Sequence, residues 1–145
     1  MRRLAVFVLV GLLLSCSGAK MVKDSTMKCF PLKMDGDQYR EAKADGIKIT
    51  EINIEGSCMT INYELKNACE ETDLDLHWDY RVKKSMPPQA TLKLNLSGKL
   101  GCGVSLSGKK KFDLKELTNP AYKGKIYLWI PPYEEKVLFE YAAQQ

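Results

Sequence analysis

The chain has 145 residues, a formal net charge of +4 and 45% hydrophobic residues. That length suits one domain with a real core and leaves no comfortable room for a second. Basic and acidic residues are interspersed, which excludes the footprint of a nucleic-acid-binding domain. The single histidine, His77, narrows the routes to triads and general acid–base chemistry.

Arg2 and Arg3 precede an apolar run from Leu4 to Leu14, which ends in Leu13-Leu14-Ser15-Cys16. A run of about eleven residues is short of the roughly 20 that a spanning helix needs, so it reads as the h-region of a signal peptide. The Leu-Leu-Ser-Cys ending resembles the lipobox of bacterial lipoproteins. That resemblance implies cleavage before Cys16 and acylation of its thiol with palmitate-type chains, leaving a chain bound to the membrane through lipid. Each buried methylene contributes about 0.8 kcal/mol, and two or more chains hold stably. Ser17, rather than Asp, follows the cysteine, and in such lipoproteins this favours the outer membrane. The expected organisation is a signal peptide over 1–15, a lipidated cysteine and tether over 16–28, and a single domain over 29–145. Gly18, Lys20, Lys23 and Asp24 give the tether its small and polar character.

Residues 29–45 carry Pro31, Gly36 and several charges, and Gln38 to Ala44 predict one helical turn or two. From Ile47 the period becomes two. Ile47 and Ile49, then Ile52 and Ile54, are apolar, with a phase shift near Thr50-Glu51 that predicts a bulge. Glu55-Gly56-Ser57 reads as a turn. Met59, Ile61, Tyr63 and Leu65 then alternate with polar residues in the cleanest strand of the chain. Leu74, Leu76, Trp78 and Tyr80 predict a further strand, and Ala90, Leu92, Leu94 and Leu96 another after Met86-Pro87-Pro88. Val104 and Leu106 begin a strand that Gly108 and Lys109-Lys110-Lys111 are expected to break as a solvated turn. Lys125 to Ile130 and Lys136 to Tyr141 close the chain around Pro131-Pro132-Tyr133. About seven strands with few helix signals predict an all-β protein, an antiparallel β-sandwich of immunoglobulin-like or similar type.

Cys29, Cys58, Cys69 and Cys102 remain beyond the anchor, and a compartment outside the inner membrane favours their oxidation. Zinc is the competing reading, but no C-x-x-C pair occurs. Cys58 and Cys69 flank one strand, and about eleven residues at 3.3 Å each put them up to ~35 Å apart. A disulfide needs Cα atoms within about 7 Å. Following the meander up, down and up again returns Cys102 to the end occupied by Cys69. The expected bridges are therefore 69–102 and 29–58.

Residues Leu65 to Cys69, Leu76-His77-Trp78-Asp79, Lys84-Ser85-Met86-Pro87-Pro88-Gln89, Cys102 and Phe112-Asp113-Leu114-Lys115-Glu116-Leu117 occur in an order that resembles small envelope lipoproteins of Bacteroidetes-type bacteria, some grouped as NigD-like. The Lys-Ser-x-Pro-Pro-Gln element is its most specific piece. The resemblance implies a β-sandwich and an envelope lipoprotein, and carries no catalytic residue. The chain departs from the pattern at Asn67, Ala68 and Thr72, where glycines before the cysteine and a histidine after it are expected.

Several residues are candidates for chemistry. His77 reads as a surface residue beside Asp75 and Asp79. Glu70, Glu71, Asp73, Asp75 and Asp79 form an acidic stretch with oxygen ligands of the kind calcium takes, but without the glycines and spacing of a known loop, and Lys93 is expected to neutralise it. Trp78 and Tyr80 share a face with Leu74 and Leu76 and are expected in the core. On the strand 125–130, an inward face of Ile126, Leu128 and Ile130 turns Tyr127 and Trp129 outward, near Tyr133. Such aromatics stack on sugars or anchor a partner; the competing expectation buries both faces, for instance under residues 29–45. No cofactor fingerprint or metal-ligand spacing is present. The sequence leads to a non-catalytic structural or protein-interaction module of the envelope, with a glycan-binding accessory lipoprotein as the alternative and an enzyme third.

Overall fold

A computed structural model describes residues 28–69 and 72–142. The expected signal peptide, Cys16, the expected tether through residue 27, and Glu70 and Glu71 lie outside the described residues. Among the described residues ten strands form sheets of four, four and two, in a mostly β, sandwich-like arrangement around one hydrophobic cluster.

The first sheet is built on a hairpin. β2 (Ile47–Glu55) and β3 (Cys58–Ala68) pair antiparallel, joined by Gly56 and Ser57, with Gly56 at a φ of 60°. A side chain there would strain the turn, whereas glycine adopts it freely. The register shifts between Ile49 and Glu51, which is the bulge that the apolar phase change predicts. β8 (Val104–Asp113) pairs antiparallel along the other side of β3, and β1 (Phe30–Pro31) pairs with β8 in parallel.

β8 is unbroken, which corrects the expected turn at Gly108 and the three lysines. Tyr63 lies directly across from Gly108, and a Cβ on that glycine would sit 2.8 Å from the Tyr63 hydroxyl oxygen and 2.9 Å from Cζ. The glycine makes room for a ring and does not end the strand. Lys110 shares the parity of buried Phe112 and opposes Ile61. Its ammonium lies over the Phe30 ring, with Nζ 4.6 Å from the ring centre, and reaches Asp73 at 2.6 Å. A lysine can point toward a core when its stem is covered and its head finds a carboxylate.

Across the core, β4 (Asp73–His77) pairs antiparallel with β7 (Lys93–Ser97). β5 (Val82–Lys83), β6 (Gln89–Thr91), β9 (Lys125–Trp129) and β10 (Lys136–Glu140) form the other four-stranded sheet in the order β10-β9-β6-β5. β6 and β7 are separated only by Leu92, which is fully buried and donates its N–H to the Trp129 carbonyl. Residues 89–97 thus pass from β9 to β4 as one run that changes partner. β6 pairs with β9 in parallel, so the strands are mixed rather than wholly antiparallel.

α1 (Gly36–Glu41) starts earlier than the helical pattern suggests, because the Asp35 carboxylate accepts the N–H groups of Asp37 and Gln38 and caps it. Its Tyr39 is buried.

Cys29 is bonded to Cys58 and Cys69 to Cys102, with Cα separations of 6.0 and 5.3 Å. Asn67, one of the positions where glycine is expected, takes a φ of 60°, a conformation that glycine and asparagine tolerate. Its side chain accepts the Gly103 N–H and its carbonyl accepts that of Gly101. Thr72 takes the place of the expected histidine. Its hydroxyl accepts from Cys69 N and donates to the Lys99 carbonyl, stitching the same loop.

The Tyr63–Gly108 contact makes a signed prediction. Gly108→Ala should destabilise the protein by about 1 kcal/mol, because the new methyl displaces the ring. In a Tyr63→Ala background the same change should stabilise by about 0.4–1 kcal/mol, through the lower entropy of the unfolded chain. Urea melts of the four proteins decide; an effect of one sign in both backgrounds contradicts the packing argument.

Candidate recognition face

The outward face of the β5-β6-β9-β10 sheet follows from the alternation in β9. Ile126, Leu128 and Ile130 are fully buried, and Lys125, Tyr127 and Trp129 take the opposite parity. Trp129 is 41% exposed and Tyr127 is half-buried. On β10, Leu138 lies directly across from Tyr127 and is 38% exposed, while Lys136 lies across from Trp129. On β6, Gln89 and Thr91 flank the same two aromatics from the other side. The result is an apolar strip of Tyr127, Trp129 and Leu138 with polar neighbours.

Tyr133 does not join this strip. Its N–H closes a turn onto the Ile130 carbonyl, and the residue packs against the core cluster. Of the three aromatics that the sequence singles out, Tyr127 and Trp129 share a face and Tyr133 turns inward.

Beside Trp129 a hollow of about 290 Å³ is lined by Lys83, Gln89, Thr91, Glu134 and Lys136. Lys136 Nζ donates to Gln89 Oε1 at 2.6 Å, Gln89 Nε2 donates to Ser85 Oγ at 3.1 Å, and Ser85 Oγ donates to the Pro87 carbonyl at 2.6 Å. This chain of bonds gives the Lys-Ser-x-Pro-Pro-Gln element a physical role: it ties the loop after β5 to β6 and β10.

The loop also walls a larger groove of about 980 Å³, between residues 80–88 and the turn 121–125. Its apolar lining includes Tyr80, Val82, Met86, Pro87 and Tyr122. Lys83 borders both hollows. Tyr80 is 59% exposed, which corrects its expected place in the core: β4 ends at His77, so the alternation that buries Leu74 and Leu76 no longer governs it. Trp78 is buried as expected, and its indole N–H donates to the Arg81 carbonyl. Tyr80 and Lys123 both hold left-handed φ values, 63° and 52°. Non-glycine residues in that region are uncommon and concentrate where a surface is held in a set shape.

His77 is not a surface residue. It is 2% exposed, because Lys33 pairs with it in parallel and the Leu76 carbonyl and Trp78 N–H bond to the Lys33 backbone. Tyr39 of α1 lies on the same side, under the ammonium of Lys93, the residue across from His77. Residues 29–45 therefore cover β4, and β9 keeps one face in solvent. The described carboxylates of the acidic stretch are neutralised by other cations than the expected Lys93: Asp73 pairs with Lys110, Asp75 with Lys33 and Asp79 with Arg81. The Lys110 bond holds the Asp73 carboxyl below its usual range. Among the described residues no cluster of three or more ligating side chains is placed to hold a metal.

Among solved structures, the fold is similar to the crystal structure of a protein of unknown function, DUF1344, from Bacteroides vulgatus. The TM-score is 0.55 at 14% sequence identity, with 79% of this chain matched to 56% of that one. The chain thus spans a little over half the length of that protein, and the likeness shows the fold alone. No family model and no curated protein matches the chain.

Burial depresses the His77 pKa below the usual imidazole value. The unfolded chain therefore binds a proton near pH 6.5 that the folded one refuses. The stability is fully present above pH 6.5 and declines as the pH falls from there through the folded pKa, by up to about 1.4 kcal/mol per unit. Denaturant melts between pH 7.5 and 5.5 should show this slope and a His77→Leu variant should lose it. The same slope in both proteins would assign the effect to other groups.

Proposed function

We propose that this chain is a lipid-anchored protein of the cell envelope, held at the outer membrane through Cys16, that works by non-covalent recognition of a partner protein. The observation that carries the reading is the outward strip of Tyr127, Trp129 and Leu138 on the β9–β10 pair. Aromatic anchors with a polar rim are the usual centre of a protein interface, and charged residues are depleted there. The basic start, apolar run and Leu-Leu-Ser-Cys sequence support the anchor, and the polar residues after it supply reach. The resemblance to NigD-like lipoproteins supports the same placement. The reading is non-catalytic, and the chain's one imidazole lies in the core, away from any substrate.

A glycan is the second reading. It is favoured by the hollow beside Trp129, where Gln89, Thr91, Glu134 and Lys136 offer hydrogen bonds next to an indole face.

Two measurements test the proposal. Intact-mass spectrometry of membrane-extracted protein should show an acylated amino terminus at Cys16; a form that begins at Met1, or is released without lipid, overturns the anchor. A photo-crosslinking residue placed at position 129 in the native host should give one discrete protein adduct. The same probe at Glu55, an exposed position at the β2–β3 turn of the other sheet, should give none. No adduct at 129, together with glycan-array binding that Trp129→Ala abolishes, would transfer the face to the glycan reading.

A further inference from the structure

We propose that the groove between residues 80–88 and 121–125 binds a single-chain carboxylate amphiphile, a free fatty acid, with its acyl chain along the apolar wall and its carboxylate among the rim lysines. This site is separate from the Trp129 strip, and its argument does not depend on that reading.

Size and lining come first. A volume of about 980 Å³ lies at the upper end of small-molecule sites. Val82, Met86, Pro87, Pro88 and the rings of Tyr80 and Tyr122 form its wall. Met86 is 89% exposed, an apolar side chain held in solvent at the rim of an apolar trough. Methionine is unbranched and polarisable, and it adapts to flexible apolar partners better than a branched residue does.

Charge selects the head group. Lys83, Lys84, Lys123 and Lys125 border the groove, and among the described residues no acidic one lines it. Lys125 shares Glu140 at 3.8 Å. Among the described residues, no carboxylate pairs with Lys83, Lys84 or Lys123. Several ammonium groups beside a low-dielectric wall attract an anion and repel a cationic amphiphile.

The groove is also held in shape before anything binds. The Lys136–Gln89–Ser85–Pro87 bonds hold the loop that presents Met86. The Tyr80 hydroxyl donates to the Met34 carbonyl at 3.2 Å, and Lys123 N–H bonds the Pro120 carbonyl at 3.1 Å. A preformed wall lowers the ordering cost of binding.

The test uses the mature chain from residue 16 with Cys16→Ser, so that no acyl chain of its own competes. Octanoate, decanoate, dodecanoate and dodecyltrimethylammonium are titrated below their micelle concentrations, by calorimetry and by methyl NMR of the methionines. The expected result is saturable one-to-one binding of dodecanoate that shifts the Met86 methyl. Affinity should rise roughly two- to fourfold for each added methylene. The ammonium of equal chain length should bind at least tenfold more weakly. A Lys83→Gln, Lys84→Gln, Lys123→Gln variant, which changes only exposed or rim positions, should bind dodecanoate at least tenfold more weakly with an unchanged thermal melt. Met86→Gln should weaken it with the charge preference intact. Failure of dodecanoate to saturate, equal binding of the ammonium, saturation that leaves the Met86 methyl unmoved, or binding only to phosphatidylglycerol vesicles would each overturn the proposal.

Discussion

The outward face of this protein depends on a parity constraint in β9. Ile126, Leu128 and Ile130 all take places in the core, and a strand has only two faces. Once those three are inward, Tyr127 and Trp129 have one direction left. A slip of one residue would expose three aliphatic side chains and bury a lysine, so the register is strongly held. β10 reinforces it, since buried Phe139 leaves Leu138 opposite Tyr127 on the outer side.

That parity acts on a fixed frame. β3 is flanked by β2 and β8, and a disulfide sits at each of its ends, Cys58 at the first and Cys69 just beyond the last. Met59, Ile61 and Leu65 on its inner face are almost completely buried. Lys110 ties this sheet to β4 through Asp73. The lead segment then decides which part of the opposite layer is covered. After Cys29 it pairs with β8, then with His77 of β4, and it sets Tyr39 of α1 beside Lys93. The side chain thereby removed from solvent is His77. Trp129 and the groove at Met86 remain open, and this openness is what supports the proposed recognition role.

Much of this frame was legible in the sequence because strands announce themselves by a period of two. The Met59–Leu65 strand, the phase change near Thr50 and the Ile126–Ile130 alternation each reported a local rule that the fold obeys. The errors arose where a tertiary partner overrode a local signal. Gly108 and the lysine run look like a turn until Tyr63 is seen to need the space and Asp73 the cation. His77 alternates as a surface residue, but a parallel segment from far earlier in the chain covers it. Tyr80 continues the pattern of Leu74 and Leu76 in sequence, but the strand has already ended. The groove was not legible at all. Its walls come from residues 80–88 and 121–125, which no spacing rule brings together.

The most direct test of the account is hydroxyl-radical footprinting of Trp129, read by peptide mass spectrometry in purified protein and in intact cells of the native host. Trp129 should oxidise readily in the purified protein while Trp78 stays protected, and the proposed partner should protect it in intact cells. A Trp129 that is inert in the purified protein would contradict the β9 parity, and equal oxidation in both settings would contradict the proposed role in recognition.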